Sequence, residues 1–136
     1  MSEQFDLRID SIAAGGDGVG RYGRMVVFVP RSAPGDLARV RAEQQDRLMR
    51  GAIETLIEPS PRRVEPPCPH YTMDRCGGCQ IQHIAYAAQL EAKSAIIHDA
   101  LTRIGKVPLA QAPAVEPSSL EFRYRLKLTM ALRRRG

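Results

Sequence analysis

Three cysteines lie within twelve residues, Cys68, Cys76 and Cys79, in the stretch CPHYTMDRCGGCQIQH. Their spacing is C-x7-C-x2-C. The second pair can offer two sulfurs to one metal, because a tight turn through Gly77 and Gly78 brings both thiolates to the same side. A thiolate-held centre normally takes four ligands, and only three cysteines are present. Zinc could be completed by His83 or His70 as a Cys3His site. An iron-sulfur cluster would need a fourth cysteine from outside this sequence or an open iron. The third outcome is three reduced thiols without metal. No signal peptide is legible in Met1 to Ile12, which is charged and alternating, and no apolar run approaches the ~20 residues of a membrane helix. The expected compartment is therefore the cytoplasm, where thiols stay reduced and clustered cysteines serve metals more often than disulfides.

The elements that would position these cysteines are short. Phe5, Leu7 and Ile9 alternate with charged residues, and a GGDGVGRYG loop precedes the run Met25 to Val29. Leu37 to Glu43 alternates again, and Leu48 to Glu58 reads as a long strand with a bend or bulge at Gly51. Four or five short strands over residues 1–60 predict a small OB-like β-barrel. A barrel of that length buries only about 60% of the surface of its unfolded chain, so a metal staple would help it. Pro59 to Pro67, PSPRRVEPP, predicts a linker over 61–67, since proline cannot join a sheet interior. The cysteine segment and an amphipathic helix fill 68–107. The helix spans Ala85 to Ile104, with Tyr86, Leu90, Ile97, Leu101 and Ile104 as its apolar stripe and Gly105 and Pro108 as its stop. In the segment 116–136, Phe122 to Leu132 alternates over eleven residues and predicts a strand. Such a strand needs a partner. With the odd cysteine count, this makes the sequence read as the front part of a longer protein, and the fold class as α+β.

Charge narrows the partners. The net charge is +5, yet residues 1–66 carry ten basic and ten acidic side chains, and residues 116–136 carry six and two. The basic excess sits at the end of the chain, so nucleic-acid binding by the barrel requires one-sided placement of its arginines. Arg21, Tyr22, Arg24 and Arg31, beside the glycine loop, combine cations with an aromatic able to stack on a base. Arg123, Arg125 and Lys127 would line the polar face of the predicted strand, with Arg133 to Arg135 beyond it. Gly18, Gly20 and Gly23 match GxGxxG, but a strand follows rather than a helix, so the motif predicts a hairpin connection and not a dinucleotide site. His98 reads as a partly exposed helix residue.

The block CGGCQIQH, followed by YAAQLEAK, RIG and FRYRLKL, resembles the RNA uracil-C5 methyltransferase family, and FDLRIDSIAAGGDGVGR stands where that family has the first strand and glycine loop of its TRAM barrel. The resemblance covers nearly the whole sequence. It implies a TRAM barrel over 1–60 and a [4Fe-4S] cluster with Cys68, Cys76 and Cys79 as three ligands, the fourth lying downstream of FRYRLKL. His70 and His83 would then stand behind the ligands. Members transfer a methyl group from S-adenosylmethionine with a cysteine nucleophile and a carboxylate base in a C-terminal domain, so no residue here is expected to be catalytic. The resemblance further implies RNA, and ribosomal RNA in particular, as the partner of a monomer. A rival of another class is a self-contained RNA-binding protein with a zinc or iron-sulfur appendage. A redox protein is a third, poorly served by an incomplete thiolate set.

Overall fold

The computed structural model describes residues 2–129. Five strands, β1 (Ser2–Ile12), β2 (Gly18–Tyr22), β3 (Met25–Val29), β4 (Leu37–Gln45) and β5 (Leu48–Glu58), close a barrel in the order β1-β2-β3-β5-β4. Every neighbouring pair is antiparallel except β3 and β5, which run parallel. This is the OB-like barrel that the alternating segments predict. Alternation explains which side chains enter it, because successive residues of a strand point to opposite faces. Phe5, Leu7 and Ile9 of β1, Val27 and Val29 of β3, Ala38, Val40 and Ala42 of β4, and Met49 of β5 form the core.

Two details differ from the sequence reading. The second half of the predicted glycine loop is strand β2, whose Gly18 and Gly20 are buried in the barrel wall. A Cβ on Gly18 would stand 1.8 Å from the Ser32 hydroxyl oxygen, and one on Gly20 would stand 2.4 Å from the Arg8 carbonyl oxygen. These glycines serve close backbone approach rather than loop freedom. Gly51 likewise pairs in register with Ala42, its absent side chain making room for the Ala42 Cβ. The register shifts of β5 fall instead around Glu54 and Ile57.

A short helix, α1 (Pro69–Thr72), lies in the cysteine segment, and α2 (Tyr86–Asp99) continues into a π-helical turn at Ala100–Ile104. The predicted stripe of α2 is not its packed face. Ile97, Leu101 and Ile104 are exposed, whereas Ala88, Ala92 and Ile96 pack with Ile12, Ala33, Ile81 and Ile84 in a second core between helix and barrel. Ala88 and Ala92, one turn apart, let the helix approach closely, and Ile96 a turn further on packs beside them. The following segment runs back along the helix: Ser94 donates to the Pro113 carbonyl, and the Ser118 N–H to the Tyr86 hydroxyl. None of the described helices is long and apolar enough to cross a membrane.

The predicted strand at Phe122 to Leu132 is not formed over its described part. Residues 120–129 follow bends and irregular backbone, and Phe122, Tyr124, Leu126 and Leu128 are exposed. No described strand pairs with them, and alternation without a ladder cannot hold an extended conformation. Met130 to Gly136 lie outside the described residues.

The proline-rich passage after β5 is irregular but firmly tied. The Val64 N–H donates to the His83 carbonyl, the Ala85 N–H donates to the Arg62 carbonyl, and Arg63 bridges Ile84. Beneath this strap lies Asp36, fully buried in the β3–β4 connection. Its carboxylate accepts hydrogen bonds from the N–H groups of Ala33 and Ser60 at 2.7 and 2.8 Å and from Nε and Nη2 of Arg63 at 2.9 and 2.7 Å. Burial alone would push Asp36 upward, but the Arg63 hydrogen bonds, helped by Ser60 and Ala33, outweigh it and hold the carboxyl below its ordinary value.

Removing one partner of such a pair strands the other. Asp36→Ala should cost about 3 kcal/mol, towards the low end of what breaking a buried pair costs because Arg63 keeps some solvent access, read as a lower urea midpoint at unchanged slope. Because the folded pKa is depressed, the ionised group stabilises the chain above its ordinary value of 3.8, and this is lost as pH falls through the folded value. Asp36→Asn should remove that acid-side component, and an unchanged acid profile would refute the assignment.

Candidate functional site

Two regions carry chemistry: the cysteine segment on the strap side of the barrel, and one barrel end where arginines collect.

The cysteine segment is built around Tyr71 and the QIQH run. Cys68 precedes α1, and its N–H donates to the side-chain oxygen of buried Gln82 at 2.9 Å. The Cys76 N–H donates to the His70 carbonyl at 3.0 Å, and the Gln80 amide donates to the Gly77 carbonyl at 3.2 Å, which shapes the turn carrying Cys76 and Cys79. Cys68 and Cys76 are half-buried, Cys79 is exposed, and all three are free thiols. As a donor set, three thiols suit zinc or an iron-sulfur cluster. Among the described residues, however, no three Cys, His, Asp or Glu side chains gather closely enough to hold an ion.

Neither histidine considered for zinc stands ready to complete such a site. His83 is buried, with Nε2 at 3.0 Å from the Ser32 carbonyl and Nδ1 at 2.6 Å from the Tyr71 hydroxyl. A carbonyl can only accept, so Nε2 carries the proton, and the neutral ring accepts at Nδ1 from Tyr71. The single hydroxyl proton of Tyr71 then serves two acceptors, His83 and the Gln80 carbonyl at 2.8 Å. Desolvation by burial, with Arg63 and Arg31 nearby, pushes His83 below its ordinary value, and burial pushes the Tyr71 hydroxyl up. Both groups are thus held neutral. His70 faces solvent and pairs through Nδ1 with Asp74, and His98 rests its Nε2 at 3.3 Å from the Leu109 carbonyl.

The predicted RNA contacts separate into three groups. Arg31, with a left-handed φ of 59°, turns onto the cysteine segment: its guanidinium lies 4.0 Å over the Tyr71 ring and donates to the carbonyls of Tyr71 and Cys76. Arg21, Tyr22 and Arg24 are exposed at the β2–β3 turn, with Tyr22 stacked on Phe5 at 3.7 Å between ring centroids, so that one face of its ring is already covered. Elsewhere on the barrel Arg8, Arg39, Arg41 and Arg50 pair with Glu58, Asp6, Glu54 and Asp17. Arg21 and Arg24 enter no ion pair among the described residues. Because β5 starts alongside β3, with Leu48 opposite Val26, the β4–β5 turn brings Arg47 to the same barrel end. Sequence reasoning missed Arg47, since only the parallel pairing joins the two turns. It also missed Asp36, Arg63, Tyr71 and Gln82, whose partners lie far along the chain. Arg123, Arg125 and Lys127 are exposed beyond the helix, with the Arg125 guanidinium 6.0 Å from the Tyr124 ring.

The depressed folded pKa of His83 has a definite sign. Its neutral form stabilises the fold above its ordinary value of 6.5, and that contribution declines as pH falls below it, because the unfolded chain takes up a proton that the folded chain resists. The thermal midpoint should therefore drop on acidification below pH 6.5, well before Asp36 titrates, and His83→Gln should flatten this part of the profile. A variant whose profile still falls like the parent's would contradict the burial of a neutral ring.

No family model matches the chain. It is similar to an RNA methyltransferase of Thermosynechococcus vestitus, 44% identical over 132 residues that span 96% of this chain and 29% of the relative. It is 42% identical to an RNA methyltransferase of Porphyromonas gingivalis over 90% of this chain and 26% of that protein. A 23S rRNA (uracil(1939)-C(5))-methyltransferase of Pectobacterium atrosepticum is 35% identical over 95% of this chain and 28% of its own length. The chain thus spans a little over a quarter of the curated relatives it matches. Identity at this level along almost every residue, with relatives named RNA methyltransferases and one of them named a 23S rRNA uracil-C5 methyltransferase, shows that the chain belongs to the RNA uracil-C5 methyltransferase family.

Proposed function

We propose that this chain is the RNA-recognition part of an S-adenosylmethionine-dependent RNA uracil-C5 methyltransferase acting on ribosomal RNA. The observation that carries the reading is the gathering of Arg21, Arg24 and Arg47, none of them in an ion pair among the described residues, beside Tyr22 at one barrel end, where Asp46 is the acid next to Arg47. Unpaired guanidiniums bind phosphates by releasing counterions, and the open face of an aromatic can take an unstacked base. The barrel is read as a TRAM domain. The methyl-transfer step, with its nucleophile and base, belongs to the part of the relatives that this chain does not span.

In the same reading Cys68, Cys76 and Cys79 hold a [4Fe-4S] cluster with a fourth ligand from beyond these residues, zinc being the alternative. Bound there, the cluster would supply a covalent cross-link rather than redox chemistry, since methyl transfer moves no electron. The chain's own part is to present Cys68 just before α1 and Cys76 and Cys79 on the Gly77–Gly78 turn, with Gln82 and Tyr71 fixing the backbone on either side.

Anisotropy of a labelled single-stranded ribosomal RNA fragment, titrated across salt concentrations, tests the RNA reading. Replacing Arg21, Arg24 and Arg47 together by Gln should weaken binding at least tenfold at low salt and reduce the salt slope by about two, at roughly 0.7 per lost phosphate contact. Binding equal to the parent's at every salt concentration would sink the assignment. Iron, sulfide and zinc content of chain purified without oxygen separates the metals, and stoichiometric zinc without sulfide would exclude the cluster.

A further inference from the structure

Where the strap crosses the cysteine segment, a cavity of about 500 Å³ opens between Arg31, Arg63 and Arg75. Its volume falls within the roughly 300–1,000 Å³ of small-ligand sites. Pro66 and the Tyr71 ring supply apolar wall, and Glu65 also lines it. The three guanidiniums are differently engaged. Arg63 is neutralised by Asp36, while Arg31 is half-buried with only a ring and two carbonyl oxygens as partners. Arg75, exposed at a left-handed φ of 49°, enters no ion pair among the described residues. Partial burial of an uncompensated guanidinium is unfavourable, and an anion placed between Arg31 and Arg75 would relieve it. With Asp36 and Glu65 counted against the three arginines, one positive charge is left over. That matches the single charge of a phosphodiester and disfavours a pyrophosphate or a longer polyanion.

We infer that this cavity binds a single nucleotide phosphate, with the phosphate between Arg31 and Arg75 and the sugar and base against Pro66 and the strap. It is separate from the arginine cluster at the β2–β3 turn. The inference rests on the RNA reading for its preferred source, a phosphodiester within an RNA strand, while a free mononucleotide offers the same phosphate oxygens with nearly one more negative charge. It assigns the cysteine segment a direct part in ligand contact, because Arg31 reaches the cavity while holding the carbonyls of Tyr71 and Cys76.

Nuclear magnetic resonance of the nitrogen-15-labelled chain tests it, titrating uridine 5′-monophosphate, then inorganic phosphate, and following the amides of Val64, Glu65 and Tyr71 to Arg75 and the side-chain Nε of the three arginines. Saturable shifts confined to these signals are expected with the nucleotide, and weaker ones with phosphate alone. Arg75→Gln should weaken the nucleotide about fivefold, and Arg75→Lys should restore most of the loss. Arg75 is exposed, so neither variant should change the thermal midpoint. Anisotropy with the ribosomal RNA fragment separates the sources. A salt slope lowered by about 0.7 in Arg75→Gln identifies an RNA phosphodiester. A mononucleotide effect with an unchanged RNA slope identifies a free nucleotide. Shifts that never saturate, or that appear equally at Arg21 and Arg47, overturn the cavity site while leaving RNA binding by the barrel end intact. Loss of RNA binding in the Arg21, Arg24 and Arg47 variant alone bears on that other reading and not on this one.

Discussion

A carboxylate with no access to water is tolerable only when hydrogen bonds replace its hydration, and Asp36 meets that requirement with donors from two parts of the chain. Ala33 belongs to its own connection, and Ser60 and Arg63 belong to the strap. Its backbone carbonyl accepts from Ile9 of the first strand. Arg63 carries the linkage on, donating to the Arg31 carbonyl and bridging Ile84. Take the charge away and the barrel keeps its apolar core, but the strap, the QIQH run and the helix behind it lose their common anchor.

Arginine does three different jobs in this small fold. Along β1, β4 and β5 it balances acids across the sheet surface, and such exposed pairs add little stability each. At Arg31 and Arg63 it is partly buried, where the planar guanidinium can meet several carbonyl and carboxylate oxygens at once, which a lysine could not. At Arg21, Arg24, Arg47 and Arg75 it is left without an acidic partner among the described residues. Net neutrality of the first 66 residues therefore conceals a one-sided arrangement, in which Arg21, Arg24 and Arg47 meet at one barrel end.

What the sequence made legible was local. Period-two alternation identified Phe5, Leu7 and Ile9 as inward-facing, and Gly105 with Pro108 marked the end of the helix. What stayed hidden depended on partners distant in sequence. Asp36 looks like an ordinary turn residue in PGD until Arg63, 27 positions on, is seen against it. Ala88 and Ala92 look too small to define a packed face, although their size is what lets α2 lie close to Ile12 and Ala33. The strongest alternating segment, near the end of the chain, forms no strand over its described residues, because alternation states which face would be buried and says nothing about who would bury it. Of the candidate site, the cysteines, the turn arginines and His83 were visible by type, and the supporting roles of Tyr71 and Gln82 emerged only from their hydrogen bonds.

The strap also imposes an order on biosynthesis. A ribosome delivers the chain from its N-terminus, and domains tend to form as they emerge. All five strands, Asp36 and Arg63 leave before Cys68 does, so the barrel and its buried anion can be complete while the thiols are still being made. The cysteine segment then meets a finished surface and is clasped at its far end only when His83 to Ala85 arrive. Nascent thiols are thus received by a template already in place, with Cys68 and Cys76 half-buried and Cys79 open to solvent in the finished fold.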